Sequence, residues 1–130
     1  MTIQPYEDRH LEPVVALCLA QGWPNWGDRE RTRRALVAPG VTTLVALDDD
    51  SVLGVAQVIS DGAITAYLSL LVVAETARRR GVGRSLVDAV FAETGLARLD
   101  LLSEDDAVGF YGSFPHKVKP GLRIYPSEAA

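Results

Sequence analysis

The sequence predicts an α/β fold, and two observations carry this prediction. Short apolar runs rich in β-branched residues alternate with segments in which apolar residues recur at helical spacing. Residues 68–95 show the pattern most clearly, as a strand, a glycine turn and a helix in direct succession. The chain has 130 residues, 48% of them hydrophobic, which is enough for one domain with a single sizeable core. We therefore expect one α/β domain over residues 1–130.

The sequence of the first third of the chain predicts a short strand and two helices. Thr2–Pro5 is the strand, and the helix after it ends near Gly22, because glycine commonly follows the last turn of a helix. The apolar face of this helix comprises Leu11, Val14, Val15 and Cys18. Asp28 is expected to cap a second helix that runs to Val37 and is terminated by Pro39-Gly40.

Strands separated by polar turns make up most of the remaining chain. Turns at Asp48–Asp50 and Asp61-Gly62 separate three strands, and the third leads into a helix that continues up to Gly95. These three strands are Val41–Leu47, Val52–Ser60 and Ala63–Val73. A further strand and helix follow, and Lys117–Pro126 is predicted as a final strand interrupted by Pro120-Gly121.

The turn between residues 74 and 85 is the most informative segment of the sequence. Gly81 and Gly83 lie at a strand-to-helix junction, bracketed by Arg78, Arg79, Arg80 and Arg84. Glycines let backbone N–H groups converge, and a helix N-terminus carries about half a positive charge, so a phosphate or pyrophosphate is the expected ligand. The alternative is an ordinary tight turn beside solvated arginines, which fits an otherwise acidic chain poorly.

Spacing and charge exclude three other classes of phosphate binding. A P-loop requires a Gly-Lys pair, which the sequence lacks, and a dinucleotide fingerprint requires a third glycine where Leu86 stands. The net charge of −4 argues against general nucleic-acid binding, because that affinity depends on a broadly basic surface. A small anionic ligand is the better prediction.

The segment Arg78–Gly83, RRRGVG, resembles the Q/R-x-x-G-x-G/A pattern of the GNAT superfamily of N-acetyltransferases, whose turn binds the pyrophosphate of acetyl-coenzyme A. Leu70–Glu75 resembles the family's fourth strand and its exit. Ser103–Tyr111 resembles the fifth strand leading into a helix that carries a tyrosine. The resemblance follows the element order of nearly the whole chain, and its motifs lie within about residues 70–117.

This resemblance implies the fold, the cosubstrate and most of the site. The fold would be a mixed central sheet of about six or seven strands flanked by about four helices. Acetyl-CoA would donate an acetyl group to a primary amine that attacks the thioester directly, with no metal involved. The fourth strand would present backbone N–H groups to the pantetheine arm and the acetyl carbonyl. The implied cofactor-binding residues are Leu71, Val72, Val73, Arg78, Arg79, Arg80, Gly81, Val82, Gly83, Arg84 and Ser85.

Tyr111 is the expected general acid, because a phenol with an ordinary pKa near 10 can protonate a departing thiolate. The resemblance places the family's tyrosine at the same position of the Phe110-Tyr111 pair. The structural alternative is a core aromatic whose hydroxyl caps a local carbonyl. Pro115 and His116 replace the family's Gly-Phe, so this helix should end early. Glu104 stands where many members of the family have asparagine.

No motif identifies the general base. A carboxylate of Glu104, Asp105 or Asp106 could accept the amine proton, although we expect Asp105 or Asp106 to cap a helix instead. His116 is a further candidate, expected to be a surface residue.

The acceptor is equally open, and a small amine, an amino acid and a peptide N-terminus all remain candidates. Trp23 and Trp26 either wall an acceptor pocket or fold over the core. Four arginines in the second helix either favour an acidic acceptor or form a solvated surface. They are Arg29, Arg31, Arg33 and Arg34.

Cys18 is the only cysteine, and its position on an apolar helical face predicts a buried thiol rather than a nucleophile. The N-terminus shows no secretory signal, and no apolar run approaches the roughly 20 residues needed to span a bilayer. We expect a cytoplasmic protein without membrane contact, with homodimerisation left open.

Three functions are therefore consistent with the sequence. The leading hypothesis is an N-acetyltransferase. The second is a non-catalytic acyl-CoA-binding module of the same fold, suggested by the unidentified base and the altered residues after Tyr111. The third, a nucleic-acid or polyanion binder that uses both arginine clusters, is disfavoured by the acidic net charge.

Overall fold

The computed structural model describes residues 1–128. This part of the chain forms four strands and four α-helices, joined by short 3-10 turns. The strands are β1 (Thr2–Pro5), β2 (Val41–Asp48), β3 (Ser51–Ser60) and β4 (Ala66–Val73). The helices are α1 (Leu11–Ala20), α2 (Arg29–Leu36), α3 (Val82–Thr94) and α4 (Val108–Gly112). None of these helices is long and apolar enough to cross a membrane.

The strands form one antiparallel sheet in the order β1-β2-β3-β4, and a β-bulge interrupts β4. Gln57 pairs with Leu70, whereas the next residue, Val58, pairs with Leu68, so Ser69 is the extra residue. The Ser69 hydroxyl donates a hydrogen bond to Gln57 Oε1 at 2.6 Å. The bulge reverses the alternation of β4 and changes which side chains meet each face of the sheet.

Each face of the sheet is covered by a separate hydrophobic core. α3 packs on one face, and α1 and α2 pack on the other. The α3 core includes Leu44, Ala56, Leu68, Val82, Leu86 and Val90. The α1–α2 core includes Val14, Cys18, Leu36, Val45, Val55, Leu70 and Val72. Because of the bulge, β4 contributes to both cores and lies between α3 and the C-terminal end of α1.

Local sequence signals predicted several element boundaries correctly. The Asp28 carboxylate caps α2 by accepting a hydrogen bond from the Arg31 N–H at 3.1 Å. α3 ends at Gly95, which has a φ of +68° that glycine adopts without steric cost. α4 ends at Gly112, in agreement with the early termination expected from Pro115.

The prediction of a mixed sheet of six or seven strands is wrong, because the sheet formed by residues 1–128 has four strands, all antiparallel. The expected fifth strand is reduced to a single parallel bridge between Tyr67 and Asp100, with the Leu68 N–H donating to the Asp100 carbonyl at 2.9 Å. Only a short leucine-containing segment precedes the acidic residues at 104–106. The chain turns there into a 3-10 turn at Asp105–Ala107, which prevents a longer ladder.

The strand predicted for Lys117–Pro126 is not formed either. Pro120 lacks a backbone N–H and Gly121 has no side chain to pack, so both weaken a strand at its centre. The apolar side chains of the segment are also not buried. Val118 is 86% exposed, Leu122 83% and Ile124 86%. No burial therefore offsets the entropic cost of ordering this segment against the sheet.

Candidate active site

The arginine-glycine turn, residues 78–83, connects the exit of β4 to α3. Arg79 and Gly81 have positive φ values of +65° and +78°, so the backbone turns sharply before the helix. Gly81 is the N-cap residue, and its carbonyl accepts the first helical hydrogen bond, from the Ser85 N–H, at 3.0 Å. In the described chain no side chain caps α3, so three N–H groups of the first turn have no helical partner. These donors belong to Val82, Gly83 and Arg84.

The two glycines of the turn have different surroundings. A Cβ on Gly83 would lie 3.1 Å from Phe110 Cζ of α4 and 3.7 Å from Val73 Cγ2, so a larger residue would require the Phe110 ring to shift by a few tenths of an ångström. A Cβ on Gly81 would meet no atom within 4 Å. Val82, between them, buries its side chain in the α3 core and offers only its backbone. Gly81 therefore lies on the open side of the helix end, where an anion can approach.

Two of the arginines reach away from the turn to other elements. Arg78 donates a hydrogen bond to Gln21 Oε1 at 2.6 Å, and Arg80 donates to Asp48 Oδ2 at 2.9 Å. The hydrogen bond from the Arg80 guanidinium holds the pKa of the Asp48 carboxyl below its ordinary value. These side chains are exposed, so the contacts are weak and could be exchanged for contacts to a bound anion. The Arg79 side chain is exposed as well.

Arg84 joins the first turn of α3 to the end of α4. Its guanidinium donates to Ser113 Oγ at 2.7 Å and lies 4.1 Å from the centroid of the Phe114 ring. Ser113 Oγ in turn donates to the Phe110 carbonyl at 2.6 Å. The Arg84 side chain therefore holds α4 against the arginine-glycine turn, and its backbone N–H is the group directed out of the helix end.

The open edge of β4 presents backbone groups from the last residues of the strand. The Ala74 N–H donates to the Leu53 carbonyl of β3 at 2.7 Å. By the two-residue alternation of a strand, the Val72 N–H also faces β3, and those of Leu71 and Val73 face the open edge. The Leu71 and Val73 side chains pack against the α3 core, whereas the Val72 side chain is in the α1–α2 core.

Tyr111 lies on α4 and packs partly into the α3 core. Burial raises the pKa of its phenol above the ordinary value, and the nearby Tyr67 adds to the increase. Its ring makes an edge-to-face contact with Phe110 at a centroid distance of 5.0 Å. A raised pKa keeps the phenol protonated through the neutral and mildly alkaline range, which suits a proton donor.

A cavity of about 290 Å³ lies between the C-terminal end of α1 and the exit of β4. Its walls combine apolar side chains with two carboxylates, one amide and one guanidinium. The lining residues are Leu17, Ala20, Gln21, Val73, Ala74, Glu75, Arg78 and Asp106. Val73 and Arg78 thus belong both to this cavity and to the predicted cofactor site.

Among the acidic residues at 104–106, Asp106 lines the cavity and Glu104 and Asp105 do not. The prediction that Asp105 or Asp106 caps a helix is wrong, because no side chain caps the 3-10 turn or α4 within residues 1–128. His116 is exposed, and its Nδ1 lies 2.8 Å from the Phe114 carbonyl, a local contact outside the cavity.

The loop between α1 and α2 folds over the α1–α2 core. Trp23 and Trp26 are partly buried and pack against that core, and neither lines the cavity. The Thr32 hydroxyl donates to the Trp26 carbonyl at 2.9 Å, which fixes the loop to α2. These contacts favour the core-covering interpretation of the two tryptophans.

Two arginines of α2 are paired with neighbouring carboxylates. Arg29 donates to Glu12 of α1, and Arg33 forms a salt bridge with Glu30 at 2.9 Å. Their positive charge is therefore locally compensated. This lowers the attraction of α2 for an acidic acceptor.

Sequence reasoning missed the bulge residue and the partners of the arginines. Ser69 had a visible signal, because it is the single polar residue in the apolar run from Leu68 to Val73. Gln21 and Ser113 had none, since each is far in sequence from the arginine that it binds.

The sequence comparison decides the family. Residues 11–120 match the family described as the acetyltransferase (GNAT) domain. This chain belongs to the GNAT acetyltransferase family. The match spans most of the chain and includes the arginine-glycine turn, β4 and α4. Among curated proteins, none matches this acetyltransferase in sequence.

Solved structures of other acetyltransferases share the fold. A GNAT-family acetyltransferase from Streptococcus pneumoniae is 27% identical, with a TM-score of 0.78 over 97% of this chain and 98% of that one. The aminoglycoside 6'-N-acetyltransferase of Enterococcus faecium is 23% identical, with a TM-score of 0.64 over 78% and 61% of the two chains. A related aminoglycoside 6'-N-acetyltransferase, complexed with coenzyme A, is 21% identical with a TM-score of 0.68 over the same shares. The last two show similarity of fold.

Cys18 of this GNAT acetyltransferase is fully buried, as predicted, and burial raises its pKa to about 11. The thiol is therefore protonated at neutral pH and shielded from solvent, and we expect the folded protein to resist a thiol reagent such as dithionitrobenzoate. The reagent should react with one thiol per chain after denaturation in guanidinium. Rapid reaction of the native protein would contradict the burial of α1 against the sheet.

Proposed function

We propose that this protein transfers the acetyl group of acetyl-CoA to a primary amine, and that residues 1–130 act as one acetyl-CoA-binding domain. The observation that carries the proposal is the uncapped N-terminus of α3 behind Gly81, where unpartnered backbone donors meet open space. A pyrophosphate satisfies such donors and interacts favourably with the helix dipole. Family membership supports acetyl-CoA as the donor.

In this proposal the cofactor-binding residues contribute in three ways. The N–H groups of the α3 first turn bind the pyrophosphate, whereas the Ser85 N–H keeps its helical hydrogen bond to the Gly81 carbonyl. Four arginines surround the turn with positive charge, and Arg78 and Arg80 can exchange their present partners for phosphate oxygens, whereas Arg84 keeps its contacts with α4. The N–H groups of Leu71 and Val73 bind the pantetheine arm and polarise the thioester carbonyl, while Val72 holds β4 in register with β3.

Tyr111 is proposed as the general acid. Acetyl-CoA supplies the acetyl group as a thioester, and the neutral amine nitrogen attacks the carbonyl carbon directly. The carbon–sulfur bond breaks, and the nitrogen releases one proton to solvent as the amide forms. The Tyr111 phenol donates its proton to the departing sulfur, and solvent restores the proton. Its raised pKa keeps the phenol in the donating form.

The proposal is tested by incubating the purified protein with acetyl-CoA and a panel of amines. The panel contains 1,4-diaminobutane, spermidine, L-glutamate, a dipeptide and an aminoglycoside. Released thiol is measured with dithionitrobenzoate, and acetylated product is identified by mass spectrometry. The buried Cys18 should not interfere with the thiol assay.

Acceptor-dependent thiol release together with an acetylated amine is the expected result. Binding of acetyl-CoA without transfer to any amine would instead favour the non-catalytic acyl-CoA-binding module. Strong binding of a DNA duplex that coenzyme A does not displace would favour the polyanion binder.

A further inference from the structure

The cavity between α1 and the exit of β4 lies beside the edge at which the proposed reaction takes place. Val73 lines the cavity, and its backbone N–H faces the open edge of β4. Asp106 reaches the cavity from the segment that follows the Tyr67–Asp100 bridge, which is the segment flanking that open edge. An acceptor in this cavity would therefore lie between Asp106 and the thioester held at Val73.

The charged groups of the cavity favour a cation. Glu75 and Asp106 contribute two carboxylates, and Arg78 contributes the single guanidinium among the lining residues. Arg78 donates to Gln21 on the α1 wall at 2.6 Å in the free protein, and in the proposed complex the pyrophosphate compensates its positive charge. The lining thus has a net negative charge, so a protonated amine is attracted and an acceptor with a free carboxylate is repelled.

The arginines of α2 do not oppose this preference. Arg29 and Arg33 are paired with Glu12 and Glu30, and no arginine of α2 lines the cavity. The α2 arginines that could have selected an acidic acceptor therefore lie outside the cavity, and two of the four are paired with carboxylates there. Glu75 and Asp106, in contrast, lie within it.

We propose that this cavity binds the acceptor as a cationic amine and that Asp106 is its general base. The inference rests on the acetyltransferase function proposed above. The aminium N–H transfers its proton to the Asp106 carboxylate, and the freed lone pair forms the bond to the acetyl carbon. The carbon–sulfur bond breaks, the sulfur takes its proton from Tyr111, and the nitrogen releases its second proton to solvent as the amide forms. Solvent then takes up the Asp106 proton and returns a proton to Tyr111. Glu75 binds a second positive charge, so diamines and polyamines are the favoured class of acceptor.

The test compares Asp106→Asn with Asp105→Asn, a matched change at the neighbouring carboxylate that does not line the cavity. Thiol release is measured for both variants and the parent with 1,4-diaminobutane and with L-glutamate as acceptors. Calorimetric titration with acetyl-CoA is run on all three proteins. The parent should prefer 1,4-diaminobutane by at least about tenfold in kcat/KM. Asp106→Asn should lower kcat/KM for the diamine about a hundredfold, as expected for a lost general base, with acetyl-CoA affinity unchanged.

Asp105→Asn should behave like the parent protein, and Glu75→Gln should raise KM for the diamine more than it lowers kcat. Equal losses in the Asp106 and Asp105 variants, or a parent protein that prefers L-glutamate, would overturn the inference and leave the acetyltransferase proposal standing. Acetyl-CoA binding with no transfer to any amine would overturn both.

Discussion

Gly81→Asp is expected to lower the affinity for acetyl-CoA at least about a hundredfold, because its carboxylate would face a pyrophosphate across a few ångströms. Gly81 borders open space at the end of α3, so the new side chain fits sterically. The folded structure should survive, since Asp tolerates a left-handed backbone better than most residues and favours the N-terminus of a helix. Calorimetric titration with acetyl-CoA measures the loss, and thermal unfolding checks the fold.

Gly81→Asn is the matched control, because it has the same size and the same backbone requirement without the charge. The Asn variant should keep most of the acetyl-CoA affinity lost by the Asp variant. Equal affinity in the Asp variant and the parent protein would show that the pyrophosphate does not bind at this turn. Equal losses in both variants would attribute the effect to backbone strain at a φ of +78°.

Tyr111→Phe is expected to lower kcat about a hundredfold or more, with little change in acetyl-CoA affinity. The change removes only the hydroxyl, and the ring can keep its contacts with Phe110 and the α3 core. Because burial raises the pKa of Tyr111, the wild-type kcat should not fall through loss of this acid until the pH exceeds the ordinary value near 10. Steady-state thiol release over a range of pH measures both effects.

Tyr67→Phe is the control, since Tyr67 is the neighbouring phenol that adds to the pKa increase at Tyr111. It should change kcat far less than Tyr111→Phe does. A normal kcat in the Tyr111 variant would assign the acid role to water or to another group. Similar losses in both variants would point to disturbed packing of α4.

The parts of the fold predictable from sequence were those encoded by neighbouring residues. The Asp28 cap, the end of α3 at Gly95 and the early end of α4 depend on residues within a turn or two of the boundary. The arginine-glycine turn was visible for the same reason, because its glycines, arginines and flanking elements are contiguous. Helix caps and tight turns are local, and a single sequence reports them well.

The sheet was overestimated because strand pairing is a tertiary property. A family pattern implies six or seven strands, yet Lys117–Pro126 contains a proline and a glycine at its centre and leaves Leu122 and Ile124 exposed. β-branched residues alone do not form a strand where the side chains are not buried and a backbone N–H donor is missing, as at the proline of this segment. The segment from Asp100 onward likewise pairs with β4 only at Asp100 itself, and it then turns at the acidic residues.

The candidate site likewise has a part that local sequence predicts and a part that depends on tertiary structure. The arginine-glycine turn, our proposed anion site, could be located from its sequence motif. The cavity could not, because its walls include Gln21, Asp106 and Val73, which come from distant parts of the sequence. The sequence could not distinguish Asp106 from Asp105 as the proposed base, because only the structure shows which of the two lines the cavity. The bulge at Ser69 also decides which N–H groups of β4 are free, and it depends on pairing with Gln57.

The central claim is that the arginine-glycine turn binds coenzyme A, and calorimetric titration with acetyl-CoA tests it most directly. Parallel titrations use desulfo-CoA, ATP and a short DNA duplex. The proposal predicts binding of acetyl-CoA and desulfo-CoA, weaker binding of ATP because it lacks the pantetheine arm that contacts β4, and no binding of DNA. Binding of DNA with no response to either coenzyme A compound would contradict the proposal and identify the arginines as a polyanion-binding surface.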